Sequence, residues 1–204
     1  MKSVRVASLK MSEAAPEEAK VIAAPVVPAW NAKSEAGVTA PFGFFDPLGI
    51  CPTEEKDFKK YRESELKHGR IGMLAVLGML VGEKAGFLFG GSITGPAIYQ
   101  YQQAEGLFNA WSYNVVGFIL AVEGYNIVKG WEPISETMES SVGVAGLRED
   151  YSNGNLNFDP LNLKPKSPAA LKEMQTKELN NGRLAMLGAA GIVANELITN
   201  ANTF

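Results

Sequence analysis

One cysteine, one histidine and no apolar run of membrane-spanning length mark this chain of 204 residues by what it lacks. With Cys51 alone, neither a disulfide scaffold nor a Cys-rich metal or iron–sulfur site can be built within one chain. With His68 alone, His-based zinc sites and paired His haem ligands are also excluded. Any metal held in number must then rest on Glu, Asn or Gln. There is no excess of charge either: the net charge is −3 and the pI about 5.4. No basic patch with interleaved aromatics is present, so nucleic acid is not an expected partner. The longest apolar runs, 71–81, 115–122 and 184–194, fall short of the roughly 20 residues that span a bilayer. A mean hydropathy of −0.02 would even suit a soluble protein, so hydropathy leaves the membrane question open. No segment alternates with period 2, which argues against strands and for an all-α fold.

What the chain does contain, it contains twice. Phe45-Asp46-Pro47-Leu48 precedes Glu65-Leu66-Lys67-His68-Gly69-Arg70, and Phe158-Asp159-Pro160-Leu161 precedes Glu178-Leu179-Asn180-Asn181-Gly182-Arg183. Phe158 less Phe45, Glu178 less Glu65 and Gly191 less Gly78 all give an offset of 113. A repeat this long is a duplicated helical unit. Each copy places a carboxylate, a polar group three residues on, Gly and Arg ahead of an apolar run.

Residues 1–40 read as an extended tail; Lys2, Arg5 and Lys10 with nearby Ser fit either the remnant of a targeting segment or a plain flexible tail. Residues 41–204 form the single domain expected from the length. A loop over 41–52 leads to a first helix over about 53–81, with Thr53 placed as an N-cap. Gly90-Gly91 and Gly95-Pro96 punctuate a connection carrying Tyr99 to Gln103. A second helix is expected over about 111–129, ended by Gly130 and Pro133, and a third over about 168–199.

If these helices span a membrane, they carry Glu65, His68, Arg70, Glu123, Glu178, Asn181, Arg183 and Asn195 into or near the hydrocarbon. One charge at a bilayer centre costs about 2.5–3.5 kcal/mol, so partners are needed. On one helix Glu65 and Arg70 point about 140° apart and cannot pair. Two repeats crossed about a pseudo-two-fold axis solve the problem by pairing Glu65 with Arg183 and Glu178 with Arg70. Small residues at Gly72, Gly78, Ala185, Gly188 and Gly191 would let the backbones approach. Charges on the surface of soluble amphipathic helices are the plainer alternative, but interchangeable surface residues would not keep one register over two copies.

Glu65 with His68, and Glu178 with Asn181, each lie one turn apart on a helix face. Asn195 returns to the Asn181 face about 21 Å further along the axis. Carboxylate, imidazole and amide oxygen thus appear as single donors, not as a cage, which suits planar metal macrocycles that take one axial ligand each. Mg²⁺ accepts oxygen readily and imidazole acceptably.

These motifs together resemble the light-harvesting chlorophyll-binding complex family, over about residues 41–200, and their style is similar to the red-lineage algal chlorophyll a/c, fucoxanthin-binding branch. The resemblance implies an all-α membrane protein with three transmembrane helices, the first and third crossed about a pseudo-two-fold axis, in the plastid thylakoid membrane. It implies chlorophyll magnesium ligands at Glu65, His68, Glu178 and Asn181, and at Glu123 in the middle-helix motif Val122-Glu123-Gly124-Tyr125. Asn195 stands where members commonly have Gln. Two xanthophyll carotenoids would have their end groups near the Asp46 and Asp159 loops. Chlorophyll a, chlorophyll c and a structural lipid are the implied cofactors. A photosystem core, with photosystem I preferred, and neighbouring antenna subunits are the implied partners.

Three departures stand out. Asn195 is one methylene shorter than Gln, which draws its magnesium closer or calls for a bridging water. Asn126 stands where the green-lineage motif has Arg, leaving Glu123 without its usual neutralising partner. Val115 stands where some members carry a Gln ligand. Gln102 and Gln103 read as solvated loop residues ahead of ligands, Met73 and Met186 as packing, and Trp111 and Trp131 as interface aromatics. The function expected is a non-enzymatic antenna subunit that passes excitation to a photosystem core. Its alternatives are a photoprotective quencher of the same family and, from another class, a small repeat-built transporter.

Overall fold

Between Pro52 and Pro96 nothing in the sequence breaks a helix by removing a backbone donor, and Glu55 and Asp57 place negative charge at a helix start. In the computed structural model this stretch is α1, Glu55–Lys84. The structure describes residues 30–84, 90–108, 110–133 and 146–203. The expectations for residues 1–29 lie outside them. From Asn31 onward the described residues form one compact unit. A short 3-10 turn, Ala32–Ser34, is capped by the Asn31 side chain accepting from Lys33 N. Lys172 Nζ donates to Ser34 O at 2.6 Å, and Gly37 N donates to Thr176 Oγ1 at 3.2 Å.

The connection that carries Tyr99 to Gln103 is itself helical, as α2, Ala97–Leu107. Gln103 closes the turn before it through both amide atoms, accepting from Thr94 N and donating to Thr94 O. Trp111–Gly130 form α3. Ala110, in the left-handed region at φ 67, turns the chain into α3, and the Glu105 carboxylate accepts from Ser112 N at 2.7 Å, where a helix start favours an anion. Pro168–Thr199 form α4, with Pro at the first position and left-handed Asn200 closing the end through Asn200 N to Glu196 O. No strand occurs among the described residues, only the isolated pairings Thr39 with Gly43 and Trp131 with Leu147.

The main packed pair is α1 with α4; α2 touches both and also α3, whereas α3 lies less closely against α1 and α4. The contact centres on equivalent residues of the repeat. A Cβ on Gly69 would stand 3.1 Å from Gly182 Cα, and one on Gly182 would stand 2.9 Å from Gly69 Cα. Leu66 and Leu179, again equivalent, are buried beside them. Of the small residues expected at the interface, Gly72 meets Met186 and Gly188 has only ordinary contact with Val76. Gly78 and Gly191 face open space. The helices meet at one point and diverge, so a glycine about 13 Å further along the axis no longer faces the partner backbone.

The loop before α4 is stapled to α1 by polar contacts. Glu63, buried on α1, accepts from Tyr151 Oη at 3.1 Å and Gly154 N at 2.9 Å. Gly130 lacks a Cβ where the Tyr151 ring lies, 3.1 Å from the nearest position such an atom would take. Burial, with the Glu63 carboxylate second, pushes the Tyr151 hydroxyl up to about 12 from 10.0. A group whose folded value is raised contributes stability that is complete below the unfolded value and lost as pH rises through the folded one. Alkaline titration is therefore expected to loosen this loop between about pH 10 and 12, seen as a late tyrosinate absorbance step. Tyr151→Phe should remove that step and, by leaving Glu63 short of a donor, cost about 1–3 kcal/mol.

Candidate functional site

Glu65 and Glu178 sit one turn before the Gly69–Gly182 contact on their helices, and each reaches the arginine of the other. Arg183 Nε donates to Glu65 Oε1 at 2.7 Å, and Arg70 Nε donates to Glu178 Oε1 at 2.8 Å. Each arginine has a second anchor on the carbonyl of a left-handed glycine: Arg183 Nη1 to Gly37 O at 2.7 Å and Arg70 Nη2 to Gly154 O at 3.0 Å. A Cβ on Gly154 would fall 2.7 Å from Arg70 Nη2, so both φ +71 and the close approach require glycine there. These two glycines lie outside the 113-residue register, since Gly37 aligns with Asp150. Sequence reasoning missed them; their only signal was a glycine in each polar loop.

The two carboxylates differ in their second oxygen. Glu65 Oε2 accepts from Arg62 Nη1 at 2.7 Å, and Arg62 in turn lies over the Phe58 ring. Glu178 Oε2 has no partner among the described residues. Gln175 is the repeat equivalent of Arg62, so this asymmetry is written in the sequence. A pocket of about 560 Å³ opens beside Glu65, with Phe42, Phe44, Phe45, Phe58 and Tyr61 in its wall.

His68 is exposed on α1, and its Nδ1 lies 2.8 Å from Ser64 O. That carbonyl can only accept, so Nδ1 is the donor in this contact, and Nε2 has no partner among the described residues. A ligand imidazole is oriented in this way, its other nitrogen donating to a backbone carbonyl. Asn181 is exposed one turn after Glu178. Asn195 is also exposed; its Nδ2 donates to Thr203 Oγ1 at 3.2 Å, leaving the amide oxygen for another group. Asp46 and Asp159 repeat one loop device: Asp46 accepts from Ile50 N and Cys51 N, and Asp159 from Leu163 N and Lys164 N. The backbone donors of Lys164 and Leu163 hold the Asp159 carboxyl below its usual value. Both aspartates thus shape their loops.

Glu123 does have a cation. Lys67 Nζ on α1 lies 2.6 Å from Glu123 Oε2, so a lysine of another helix stands beside Glu123 where its usual partner at position 126 is absent. Asn126 is buried one turn on, its Oδ1 without a donor among the described residues. Trp131 Nε1 is likewise buried without a partner there. Among the described residues no three His, Cys, Asp or Glu side chains gather into a metal cage.

Apolar side chains stand outward around these donors. Ile71 and Leu74 on α1, and their equivalents Leu184 and Leu187 on α4, are each about two-thirds exposed or more. Tyr113, Phe118, Leu120 and Val128 project from α3 in the same way. Single exposed apolar residues are ordinary, but whole helix faces mark a surface that something apolar covers.

The chlorophyll a-b binding protein family model matches residues 31–197, most of the chain and all of the donors just described. The chain belongs to this family. It is a chloroplast pigment-binding protein of the thylakoid membrane and not an enzyme. It is 44% identical over 206 residues to light-harvesting complex stress-related protein 3.2 of Chlamydomonas reinhardtii, an alignment covering 98% of this chain and 76% of that one. It is 46% identical to stress-related protein 1 of the same alga, over 85% of this chain and 68% of the relative. A fucoxanthin-chlorophyll a-c binding protein of Isochrysis galbana is 42% identical over 77% of this chain and 73% of its own. The fucoxanthin-binding branch is therefore a slightly more distant likeness than the stress-related one.

Proposed function

We propose that this family member is a photoprotective pigment protein, related in role to the stress-related light-harvesting proteins, which dissipates excess excitation. The supporting observation is its 44–46% identity to proteins so named, over nearly the whole chain. Harvesting for a photosystem core, photosystem I or another, is the second reading, favoured by the 42% identity to a fucoxanthin-chlorophyll protein. That likeness is also the support for chlorophyll c and fucoxanthin-like xanthophylls beside chlorophyll a. Neighbouring antenna subunits and a structural lipid belong to the same reading.

Chlorophyll supplies the excited state, and a carotenoid in contact with it supplies a short-lived state through which that energy becomes heat. The chain's task is to hold them at fixed separations. Glu65, His68, Glu123, Glu178, Asn181 and Asn195 are the residues that would hold chlorophyll magnesium. The unpartnered His68 Nε2 and the free second oxygen of Glu178 fit this role. At Glu65 both oxygens are engaged, Oε1 by Arg183 and Oε2 by Arg62, so a bound magnesium would compete with Arg62. The loops shaped by Asp46 and Asp159, with the aromatic wall beside Glu65, are the proposed seats of the carotenoid end groups. His68→Leu and Asn195→Leu are each expected to lower the chlorophyll count by one with the fold retained. An unchanged count would remove that residue from the ligand set.

Among the described residues no helix is long and apolar enough to cross a membrane. We nevertheless read α1, α3 and α4 as three spans, α1 and α4 crossed about a pseudo-two-fold axis. At 30 and 32 residues, α1 and α4 extend about 45 and 48 Å, and the charges that depress their hydropathy face each other in pairs. The outward apolar faces then meet lipid and pigment. The transporter reading has no comparable support, since His68, Asn181 and Asn195 are exposed and the helix contact is closed at Gly69–Gly182. Fluorescence lifetime of the purified pigment–protein complex separates the two leading readings. Dissipation predicts a lifetime several-fold shorter than that of a harvesting complex under the same conditions; an equal lifetime would return the protein to the antenna class.

A further inference from the structure

Where α3 ends, the chain turns back on itself and forms a hollow with two cations in its wall. Gly130 O accepts from Arg148 N at 3.0 Å, and Trp131 pairs with Leu147. This pairing brings Lys129, in the last turn of α3, and Arg148 to one cavity of about 340 Å³. Ser152 and Asn155 add a hydroxyl and an amide to the same wall. Tyr151, packed on Gly130 and held by Glu63, completes it. We propose that this cavity binds the headgroup, phosphate or sulfonate, of one anionic membrane lipid. The inference rests on the reading of α3 as a membrane span.

Charge is the first ground. One carboxylate, Asp150, lines the cavity beside the two cations. It reaches Arg148 Nε at 3.3 Å in a pair whose side chains are 44% and 77% exposed, and so open a pair holds its partner weakly. Both Nη nitrogens of Arg148 are left without a partner among the described residues. Lys129 has no carboxylate partner there either; its ammonium stands 5.8 Å from the centre of the Tyr125 ring. The helix dipole alone favours a lysine at a helix C-terminus, but it gives no reason for Arg148 to stand beside it. A guanidinium fork suits the oxygens of a phosphate, and an ammonium adds a point charge.

The apolar surface that adjoins the cavity is the second ground. Val128, in its wall, is 74% exposed. Tyr125 and Ala121 precede it on one face of α3 and are exposed as well. The acyl chains of a lipid seated by its headgroup would lie along this face, toward the middle of the span. A free phosphate would use the cations and leave the face bare. Basic pockets beside spanning helices take anionic headgroups on the same physical grounds.

The test places the pigment–protein complex in nanodiscs of phosphatidylcholine with a minor share of phosphatidylglycerol. Lipid retained after transfer to detergent is then counted by native mass spectrometry. Retained phosphatidylglycerol should be enriched about tenfold or more over its share in the disc. Lys129→Gln with Arg148→Gln should lose it, while chlorophylls per protein stay as in the wild type. Equal retention by variant and wild type would place the lipid elsewhere and overturn the assignment. Asp150→Asn removes the competing carboxylate without touching a cation, so it is read even where the double variant does not assemble. It should hold the lipid through a longer detergent wash, and retention no better than wild type would overturn the assignment too. If inorganic phosphate raises the thermal midpoint of the wild type as much as phosphatidylglycerol does, the occupant is a free anion and not a lipid. Release of the protein from vesicles by alkaline carbonate would instead overturn the reading of α3 as a span, and the lipid site with it.

Discussion

Arg70→Leu is expected to abolish stable pigment assembly, and to do so more completely than Arg183→Leu. Both arginines neutralise a glutamate across the α1–α4 contact at nearly equal distance. Their removal does not leave equal situations behind. Without Arg183, Glu65 keeps the Arg62 guanidinium at 2.7 Å; without Arg70, Glu178 keeps no cation among the described residues. Removing one partner of a buried pair costs about 3–5 kcal/mol. Here both side chains are about one-third exposed, which sets the loss toward the lower figure wherever water reaches the pair. Arg70 also donates to Gly154 O, so its loss frees the loop that Glu63 and Tyr151 hold. Yield of the chlorophyll–protein complex and its thermal midpoint, measured for both variants, check this. Equal losses would deny Arg62 any compensating role.

Gly182→Leu should be at least as damaging, for a steric reason independent of charge. The nearest atom to the added Cβ is Gly69 Cα at 2.9 Å, followed by Gly69 C at 3.4 Å. No flexible side chain is there to move aside, so α1 and α4 must separate. Overpacking costs about 1–3 kcal/mol where side chains can shift; backbone against backbone places this change at or above the top of that range. Separation would also lengthen both ion pairs, whose arginines are fixed at their far ends to Gly37 and Gly154. The expected result is an apoprotein that binds little chlorophyll. Gly78→Ala, into open space, is expected to leave the yield unchanged and serves as the control. If Gly182→Leu assembled normally, the closest approach of the two helices could not lie at Gly69–Gly182.

Much of the frame was legible because the chain repeats itself. The α4 bounds expected from Pro168 and from the last periodic residue agree with the observed Pro168–Thr199, and α3 differs from its expected end by one residue. Two charges about 140° apart on one helix, duplicated at one offset, leave few arrangements that satisfy both, and the observed reciprocal contacts are one of them. Less legible was α2, whose run Ala97–Leu107 lies among glycines and carries no apolar stripe long enough to declare itself. Gly78 and Gly191 shared the register of Gly69 and Gly182. Only the divergence of the helices shows that they do not share their role.

Sequence by itself determined the three long helices, the paired carboxylates and arginines, and the spacing of single donors, because all of these follow from local periodicity and a fixed offset of 113 residues. Tertiary structure decided which charges found cations. Lys67 with Glu123, Arg62 on the second oxygen of Glu65, and the carbonyls of Gly37 and Gly154 on the two arginines depend on how loops and helices of different length come together, which no spacing along one helix encodes. It also placed the Ser64 carbonyl 2.8 Å from His68 Nδ1, which leaves Nε2 as the ring nitrogen without a partner among the described residues.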